Sequence, residues 1–196
     1  MVVLLQTVLA QAKLDNNEQL AAFECLNKAN KLMKQKSLHI ENIDILRARI
    51  LMQYSRWYTC ISGDVMQPVE CADEAYTILM VTQIYAPYEH AFALQSCAYS
   101  LQCLLGQRQS YKSSEYSTAM RYLDSSNSII NTIQSQEQRK QSIYTLLDKV
   151  KLLLHWLDND NDPLRHDVTD DELYRANVML NDVAKRADFN EPGAFS

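Results

Sequence analysis

Apolar residues recur every three or four positions along nearly the whole chain, which is the spacing of one face of an α-helix. The clearest run lies between Ile43 and Ile61, where every step is three or four residues. The pattern predicts about eight helices, joined mostly by short polar segments. Short connections favour antiparallel neighbours, so the predicted units are helix hairpins.

Residues at the ends of these segments predict where individual helices begin and end. Asp15, with Glu18 three residues later, has the spacing of a capping box for the second helix. Pro68 falls in the first turn of the fourth helix, where its missing N–H costs nothing. Pro87 either ends the fourth helix or opens the fifth. Gly106 follows the fifth helix, where a C-cap glycine is expected.

The composition excludes several fold classes. The chain has 196 residues but only three glycines and four prolines. Sandwiches and barrels need a turn about every ten residues, and phosphate-binding loops need glycines. All-β folds, Rossmann domains and P-loop enzymes are therefore disfavoured. We expect one all-α domain over residues 1–189, followed by a frayed tail over residues 190–196.

Alternate helices share an internal pattern, in which a small residue is followed by a large one at plus four and a mostly small one at plus seven. Small residues allow two helices to approach closely, and the large residue fills the groove between them. The four occurrences are Ala22, Leu26, Ala29; Ala75, Leu79, Thr82; Ala119, Leu123, Ser126; and Ala176, Leu180, Val183.

The pattern resembles the second helix of the tetratricopeptide repeat family. Ala75, Leu79, Thr82 and Pro87 match the run of that helix, with the proline at plus twelve. The small positions stand 53, 44 and 57 residues apart, whereas the family repeats about every 34. The resemblance implies a divergent stack of helix hairpins, a solenoid, with a generic helical bundle as the alternative.

The resemblance also implies a function, namely a scaffold or adaptor subunit of a larger complex that binds an extended or helical segment of another protein. The binding surface would be formed mainly by the first helix of each hairpin. On that model the exposed positions of the third and fifth helices are candidates for partner contact, and they are Arg49, Gln53, Arg56, Gln95, Tyr99 and Gln102.

Aromatic residues add to this predicted surface. Tyrosine is favoured where a surface is apolar on one side and wet on the other, as at interfaces. Tyr54 and Trp57 follow the apolar stripe of the third helix, so we expect them in the core. The tyrosines expected at an exposed binding surface are Tyr58, Tyr88, Tyr99 and Tyr111.

The chain begins on an apolar run, Val2, Val3, Leu4 and Leu5. A terminal repeat of a solenoid normally presents a polar outer face. We therefore expect these residues to dock on a partner or on another copy of the chain. Met1–Ala10 is too short to cross a bilayer, and no membrane association is expected.

Charge and chemistry leave two alternative functions. The net charge of −5 argues against nucleic-acid binding in bulk, but a basic face containing Lys28, Lys31, Lys34, Lys36, Arg47 and Arg49 offers one alternative. The second alternative is a helical enzyme with a dispersed site. No catalytic motif is recognisable, so we predict that the chain is not an enzyme and needs no cofactor.

Metal binding is not expected either. Asp158, Asp160 and Asp162 alternate as in a calcium loop, but the required glycine and glutamate are absent. His155 and His166 lie near these aspartates without a zinc-ligand spacing. The five cysteines form no CxxC pair, which indicates reduced thiols and an intracellular protein, cytoplasmic or nuclear.

Overall fold

A computed structural model describes residues 2–34, 42–61, 66–82, 86–107 and 113–133, together with residues 145, 149, 174 and 177–182. No strand occurs among these residues, and the predicted all-α class is confirmed. Six helices have described bounds: α1 Val2–Asp15, α2 Gln19–Met33, α3 Ile43–Ile61, α4 Gln67–Val81, α5 Pro87–Gln107 and α6 Ser113–Thr132. Counted over the described ranges, six bounded helices stand against the eight or so that the periodicity predicts.

The helices pack mainly on their neighbours in the chain. The pairs α1 with α2, α3 with α4 and α5 with α6 make the most extensive contacts. In addition, α1 contacts α3 and α3 contacts α5. The three odd-numbered helices are therefore neighbours, and α3 lies between the other two.

The small–large–small positions form much of the core between these helices. The buried members are Ala22, Leu26, Ala29, Ala75, Leu79, Ala119, Leu123 and Ser126. Ala29 packs with Val3 and Ile50, which joins α1, α2 and α3. Ala75 and Leu79 pack in the same way between α3 and α5. The pattern thus marks the helix faces that make close contact.

The fourth occurrence of the pattern does not follow this rule. Leu180 is 44% exposed, so the prediction that it lies on a buried stripe is wrong. Met179, one position earlier, packs instead against a cluster that includes Tyr116 and Leu123. One residue corresponds to about 100° of rotation around a helix, which is enough to exchange a buried position for an exposed one.

The predicted capping box between α1 and α2 is also wrong. Asp15 is the last residue of α1, and Glu18 is the N-cap of α2 without a side-chain cap bond. Asn17 makes the turn with a positive φ of 59°, which asparagine tolerates. Both carboxylates are engaged elsewhere: Glu18 accepts from Lys13 and Asp15 accepts from Arg56 at 2.6 Å each.

Prolines mark the start of helices as expected. Pro68 lies in the first turn of α4, and its carbonyl accepts a hydrogen bond from the buried Ser55 hydroxyl at 2.7 Å. Pro87 is the first residue of α5, which settles the alternative left by the sequence. Gly106 lies inside the last turn of α5 and not beyond it, because the helix continues to Gln107.

Candidate partner-binding groove

A groove of about 390 Å³ lies where α1, α3 and α5 meet. Of the six residues predicted at exposed positions of the third and fifth helices, three line it: Arg49, Gln53 and Gln95. They come from α3 and α5, the two helices from which the sequence predicted a binding surface. The remaining wall comes from α1, which the sequence placed on a different surface.

The α1 wall and the base of the groove are apolar. Leu4 and Val8, one helical turn apart on α1, are exposed large apolar side chains on the rim. Met52 of α3, Ala91 of α5 and Ile130 of α6 are buried at the base. The groove therefore offers apolar contact area on one side and beneath.

The opposite side of the groove is polar and carries no excess charge. Arg49 forms an ion pair with Glu89 of α5, whose side chain is 15% exposed. Gln95 donates from Nε2 to the Thr145 hydroxyl at 2.7 Å. Because Arg49 and Glu89 neutralise each other, the polar wall is suited to recognition by hydrogen bonds more than by charge.

Gln53 is the distinctive side chain of this wall. It is only 3% exposed, so the expectation that it is an exposed residue of α3 is wrong. The reason is that α3 lies between α1 and α5, which cover that face of the helix. Its Oε1 is buried without a hydrogen-bond partner among the residues that the structure describes. A buried acceptor in this state costs about 1–3 kcal/mol.

Four other residues predicted at the binding surface do not line this groove: Arg56, Tyr58, Tyr99 and Gln102. Arg56 is held by Asp15 at the end of α1. The half-buried Tyr58 ring packs edge-on against Trp57, with centroids 5.0 Å apart. Gln102 is half-buried, whereas Tyr99 is exposed on α5. Partial burial raises the pKa of Tyr99, with Cys103 nearby as a second cause.

The aromatic predictions have mixed outcomes. Tyr88 is exposed at the rim of the groove, as predicted. Tyr54 and Trp57 are half-buried instead of fully buried, because their polar atoms reach backbone and side-chain acceptors. Tyr54 donates to Asn27 Oδ1, and Trp57 donates to the carbonyl of Gln19, at 2.9 Å each. Tyr111 lies outside the described residues.

The N-terminal apolar run is divided between two faces of α1. Val2 and Leu5 are 60% and 55% exposed, and Leu4 is exposed beside the groove, so they are free to make the contacts predicted for them. Val3 is buried and cannot dock on a partner. It belongs to the inner face of α1, which packs on α2 and α3.

Two of the positive charges on the predicted basic face are balanced by carboxylates of other helices. Lys28 and Lys31 are exposed on α2, and Lys34 is exposed at its C-cap. Arg47 and Arg49, in contrast, each pair with a glutamate of a neighbouring helix. The arginines are the side chains best suited to bind phosphate groups in a bidentate manner, and here their charges are already balanced. Lys36 lies outside the described residues.

Two cysteines of the described residues have thiol pKa values raised well above the ordinary value. Burial and the Asp73 carboxylate raise the pKa of the Cys97 thiol to about 12. Burial, assisted by two glutamates, raises that of Cys71 to about 11. Both thiols are protonated at neutral pH and are poor nucleophiles. No group of three or more metal-ligating side chains is gathered within the described ranges.

Several predictions fall on residues that the structure does not describe. They are the acidic loop with Asp158, Asp160 and Asp162, the histidines His155 and His166, and the tail over residues 190–196. Ala176 and Val183 of the fourth small–large–small run also lie there. Among the helices that are described, none is both long and apolar enough to cross a bilayer.

Comparison of the chain with protein-family models, with curated proteins and with solved structures finds no significant match. The groove therefore has to be interpreted from its own chemistry. The sequence does not predict its α1 wall, since the docking run was placed at Val2, Val3, Leu4 and Leu5 and included no residue of the next helical turn, such as Val8. Thr7 and Gln11, which continue the same one-turn spacing on α1, are the signal that could have revealed it.

Proposed function

We propose that the chain is a protein–protein interaction module, a scaffold or adaptor subunit of a larger intracellular complex. Its groove between α1, α3 and α5 would bind an extended or helical segment of a partner protein. The observation that carries this proposal is the combination in one groove of exposed apolar side chains on α1, Leu4 and Val8, with a charge-balanced polar wall on α3 and α5.

The packing of the helices is consistent with this use. The first helices of three successive hairpins line one groove, and the small–large–small faces hold each hairpin together. A stack of hairpins resembling tetratricopeptide repeats would create such a surface by repetition. The apolar rim residues, Leu4 and Val8, supply contact area, while the neutral polar wall supplies hydrogen bonds.

The alternatives have less support. A nucleic-acid site on α2 and α3 would rely on lysines alone, since Arg47 and Arg49 are paired with glutamates. An enzyme would need acid, base or nucleophile side chains gathered in the groove. Among the described residues that line the groove, the charged ones are Arg49 and Glu89, which engage each other.

The proposal is tested by affinity capture from native extract, with quantitative mass spectrometry. The double variant Leu4→Glu/Val8→Glu places charge on the exposed apolar rim. A matched variant, Met80→Glu/Val81→Glu, places the same charge on exposed apolar residues of α4 that do not line the groove. We expect a stoichiometric partner with the wild type and the α4 variant, and its loss with the groove variant.

Two results would contradict the proposal. One is the recovery of no stoichiometric protein partner. The other is a partner captured equally well by the groove variant, which would place the binding surface elsewhere. Circular dichroism of both variants establishes that loss of capture does not reflect loss of the fold.

A further inference from the structure

The outer face of α1 is apolar and exposed. Val2, Leu5 and Leu9 are 60%, 55% and 39% exposed, and Ala12, the next residue of the same row, is also exposed. We call these four residues the α1 seam. The opposite face of α1, which includes Ala10, is buried where the helix packs on α2 and α3. A helix that is apolar on all sides is normally covered on all sides, and the described part of the chain leaves this face uncovered.

The spacing of the α1 seam is that of a helix that packs on another helix. Its residues follow one another at intervals of three, four and three positions, which is the a and d spacing of a heptad. Two helices that carry this row pack it face to face, each side chain fitting between side chains of the other. On the other five helices with described bounds, exposed large apolar residues are isolated or, at Met80 and Val81, an adjacent pair.

From this spacing we infer that the α1 seam binds the α1 seam of a second copy of the chain, in an antiparallel pair related by a two-fold axis. The inference goes beyond the proposed function and does not rest on it. Leu5 and Leu9, the central residues of the seam, do not line the groove.

The α1 seam is complementary to itself in this orientation. With the two-fold axis level with Thr7, Leu5 of one copy lies opposite Leu9 of the other, and Val2 lies opposite Ala12. Each of these contacts occurs twice, as an isologous interface requires. A parallel pair would instead place Ala12 against Ala12 and lose the packing of a large residue on a small one. It would also align the two helix dipoles, which the antiparallel pair opposes.

The charge distribution of α1 is compatible with a second copy. Near a two-fold axis a residue faces its own copy, so a charge there would meet a like charge. The helix has no charged residue before Lys13. Lys13 pairs with Glu18 at 2.6 Å, beyond the seam. Asp15, the last residue of the helix, pairs with Arg56 at 2.6 Å. The pair of seams therefore buries no charge without a partner, which would be costly.

A lipid surface fits the α1 seam less well. Helices that lie in a membrane interface are usually rich in lysine and arginine on their polar face, which attract anionic headgroups. The one basic residue of α1 is Lys13, in its last turn, and Glu18 engages it. The seam therefore lacks the electrostatic attraction that such helices use.

Sedimentation equilibrium of the full chain tests the inference. The seam spans about 15 Å of helix, which is short for the ~1,200 Å² of a stable interface, so we expect a weak dimer and measure from about 1 μM to about 1 mM. Leu5→Glu/Leu9→Glu places like charges across the axis and should abolish the dimer. Met80→Glu/Val81→Glu adds the same charge to exposed residues of α4 and should leave the dimer unchanged.

A mixture of two single variants tests the orientation. In the antiparallel pair, Leu5→Lys in one copy and Leu9→Glu in the other bring the introduced charges face to face and leave the second leucine pair intact. We expect the equimolar mixture to associate about tenfold more tightly than either variant alone, the least that a close charge pair contributes. A parallel pair would set each introduced charge against a leucine. No gain in the mixture would therefore overturn the antiparallel pair.

Three results would overturn the inference as a whole. The first is a monomer at about 1 mM, and the second is a dimer that persists in Leu5→Glu/Leu9→Glu. The third is a monomer that floats with vesicles of phosphatidylcholine and phosphatidylserine and loses this binding in Leu5→Glu/Leu9→Glu, since a lipid surface would then be the occupant. The wild-type measurement needs no variant, so it remains decisive if the double variant misfolds, which circular dichroism reveals.

The outcome is distinguishable from that of the proposed function. Val8 borders both the groove and the α1 seam, whereas Leu5 and Leu9 belong to the seam alone. A wild-type chain that stays monomeric and captures a partner through the groove leaves the proposed function in place and overturns the dimer. A dimer that depends on Leu5 and Leu9, in a chain that captures no partner, supports the inference and contradicts the proposed function.

Discussion

Phe23 of α2 stacks on the indole of Trp57 of α3, with ring centroids 4.4 Å apart and an interplanar angle of 17°. The indole nitrogen is oriented by its hydrogen bond to the Gln19 carbonyl. Because α2 and α3 belong to successive hairpins, this stack links one hairpin to the next. The contact between them is less extensive than that within each hairpin, so single large side chains carry much of it.

We therefore predict that Phe23→Ala destabilises the chain by about 2 kcal/mol, less than for a fully buried phenylalanine because Phe23 is half-buried. Denaturant unfolding monitored by circular dichroism measures the change. Leu20→Ala on the same helix is the control, because Leu20 is highly exposed and should change stability by at most about 0.5 kcal/mol. Equal effects of the two variants would mean that the stack contributes nothing specific.

Apolar substitution of two buried polar residues of α3 should change the free energy of unfolding in opposite directions. Ser55 donates to the Pro68 carbonyl, so Ser55→Ala leaves that acceptor without its partner and should cost about 1 kcal/mol. Gln53 Oε1 has no partner among the described residues, so Gln53→Leu removes a penalty and should stabilise the chain by about 1 kcal/mol.

The free energies of unfolding of both variants, measured by denaturant titration, check this pair of predictions. A stabilised Gln53→Leu that no longer binds partner would show that the groove retains an unfavourable acceptor for function. A destabilised Gln53→Leu would instead show that Oε1 is satisfied, for example by an ordered water.

Much of the helical architecture could be predicted from the sequence, for a simple reason. Burial of one helix face imposes a three-to-four residue period, and close packing selects small residues such as Ala22, Ala75 and Ala119 at fixed places in that period. Pro68 and Pro87 then mark helix starts by local sterics alone. These features depend on interactions within one helix or between consecutive helices.

The groove could be predicted only in part, because it depends on contacts between helices far apart in the chain. The prediction of Arg49, Gln53 and Gln95 rests on an assumption about which faces of α3 and α5 are exposed to a partner. Gln53 is buried and Arg56 is engaged by Asp15 because α1 lies beside α3. No local sequence pattern specifies that position of α1. The wrong capping box has this origin in part, since Arg56 of α3 engages Asp15, whereas Glu18 is engaged by the nearby Lys13.

Two ion pairs of α3 provide a matched test of how burial affects charge interactions. Arg49–Glu89 lies at the groove with Glu89 mostly buried, whereas both partners of Arg47–Glu74 are about half exposed. We predict from double-mutant cycles with alanine a coupling energy of about 1.5 kcal/mol for the first pair and about 0.5 kcal/mol for the second. Coupling energies of equal size would contradict the partial burial of the groove pair.

The same two cycles should differ in salt dependence. At ~1 M salt the Debye length is about 3 Å, so the exposed Arg47–Glu74 coupling should nearly vanish. The Arg49–Glu89 coupling should be reduced much less, because partly buried pairs are screened less. Urea unfolding is the suitable measurement, since guanidinium chloride would itself screen the charges.

The remaining prediction concerns alkaline pH. The Cys97 thiol is buried and donates weakly to Asp73 Oδ1 at 3.9 Å, and its pKa rises from 9.0 to about 12. Between these two values the unfolded chain has lost the thiol proton while the folded chain retains it. Stability must therefore fall as pH rises above 9, and Cys97 alone should cost about 1.4 kcal/mol at about pH 10.

Denaturant unfolding between pH 8 and about pH 10 measures this slope, and Cys97→Ser should reduce it because serine does not titrate in that window. Ser100→Ala is the matched control, since Ser100 is a buried neighbour on α5 that donates to the Cys97 carbonyl but carries no titrating group. It should lower stability at every pH and leave the slope unchanged.

The residual slope in Cys97→Ser is expected from Cys71 and Tyr122, whose pKa values burial raises to about 11 and about 12. An unchanged slope in Cys97→Ser would mean that this thiol ionises in the folded chain as it does in the unfolded one.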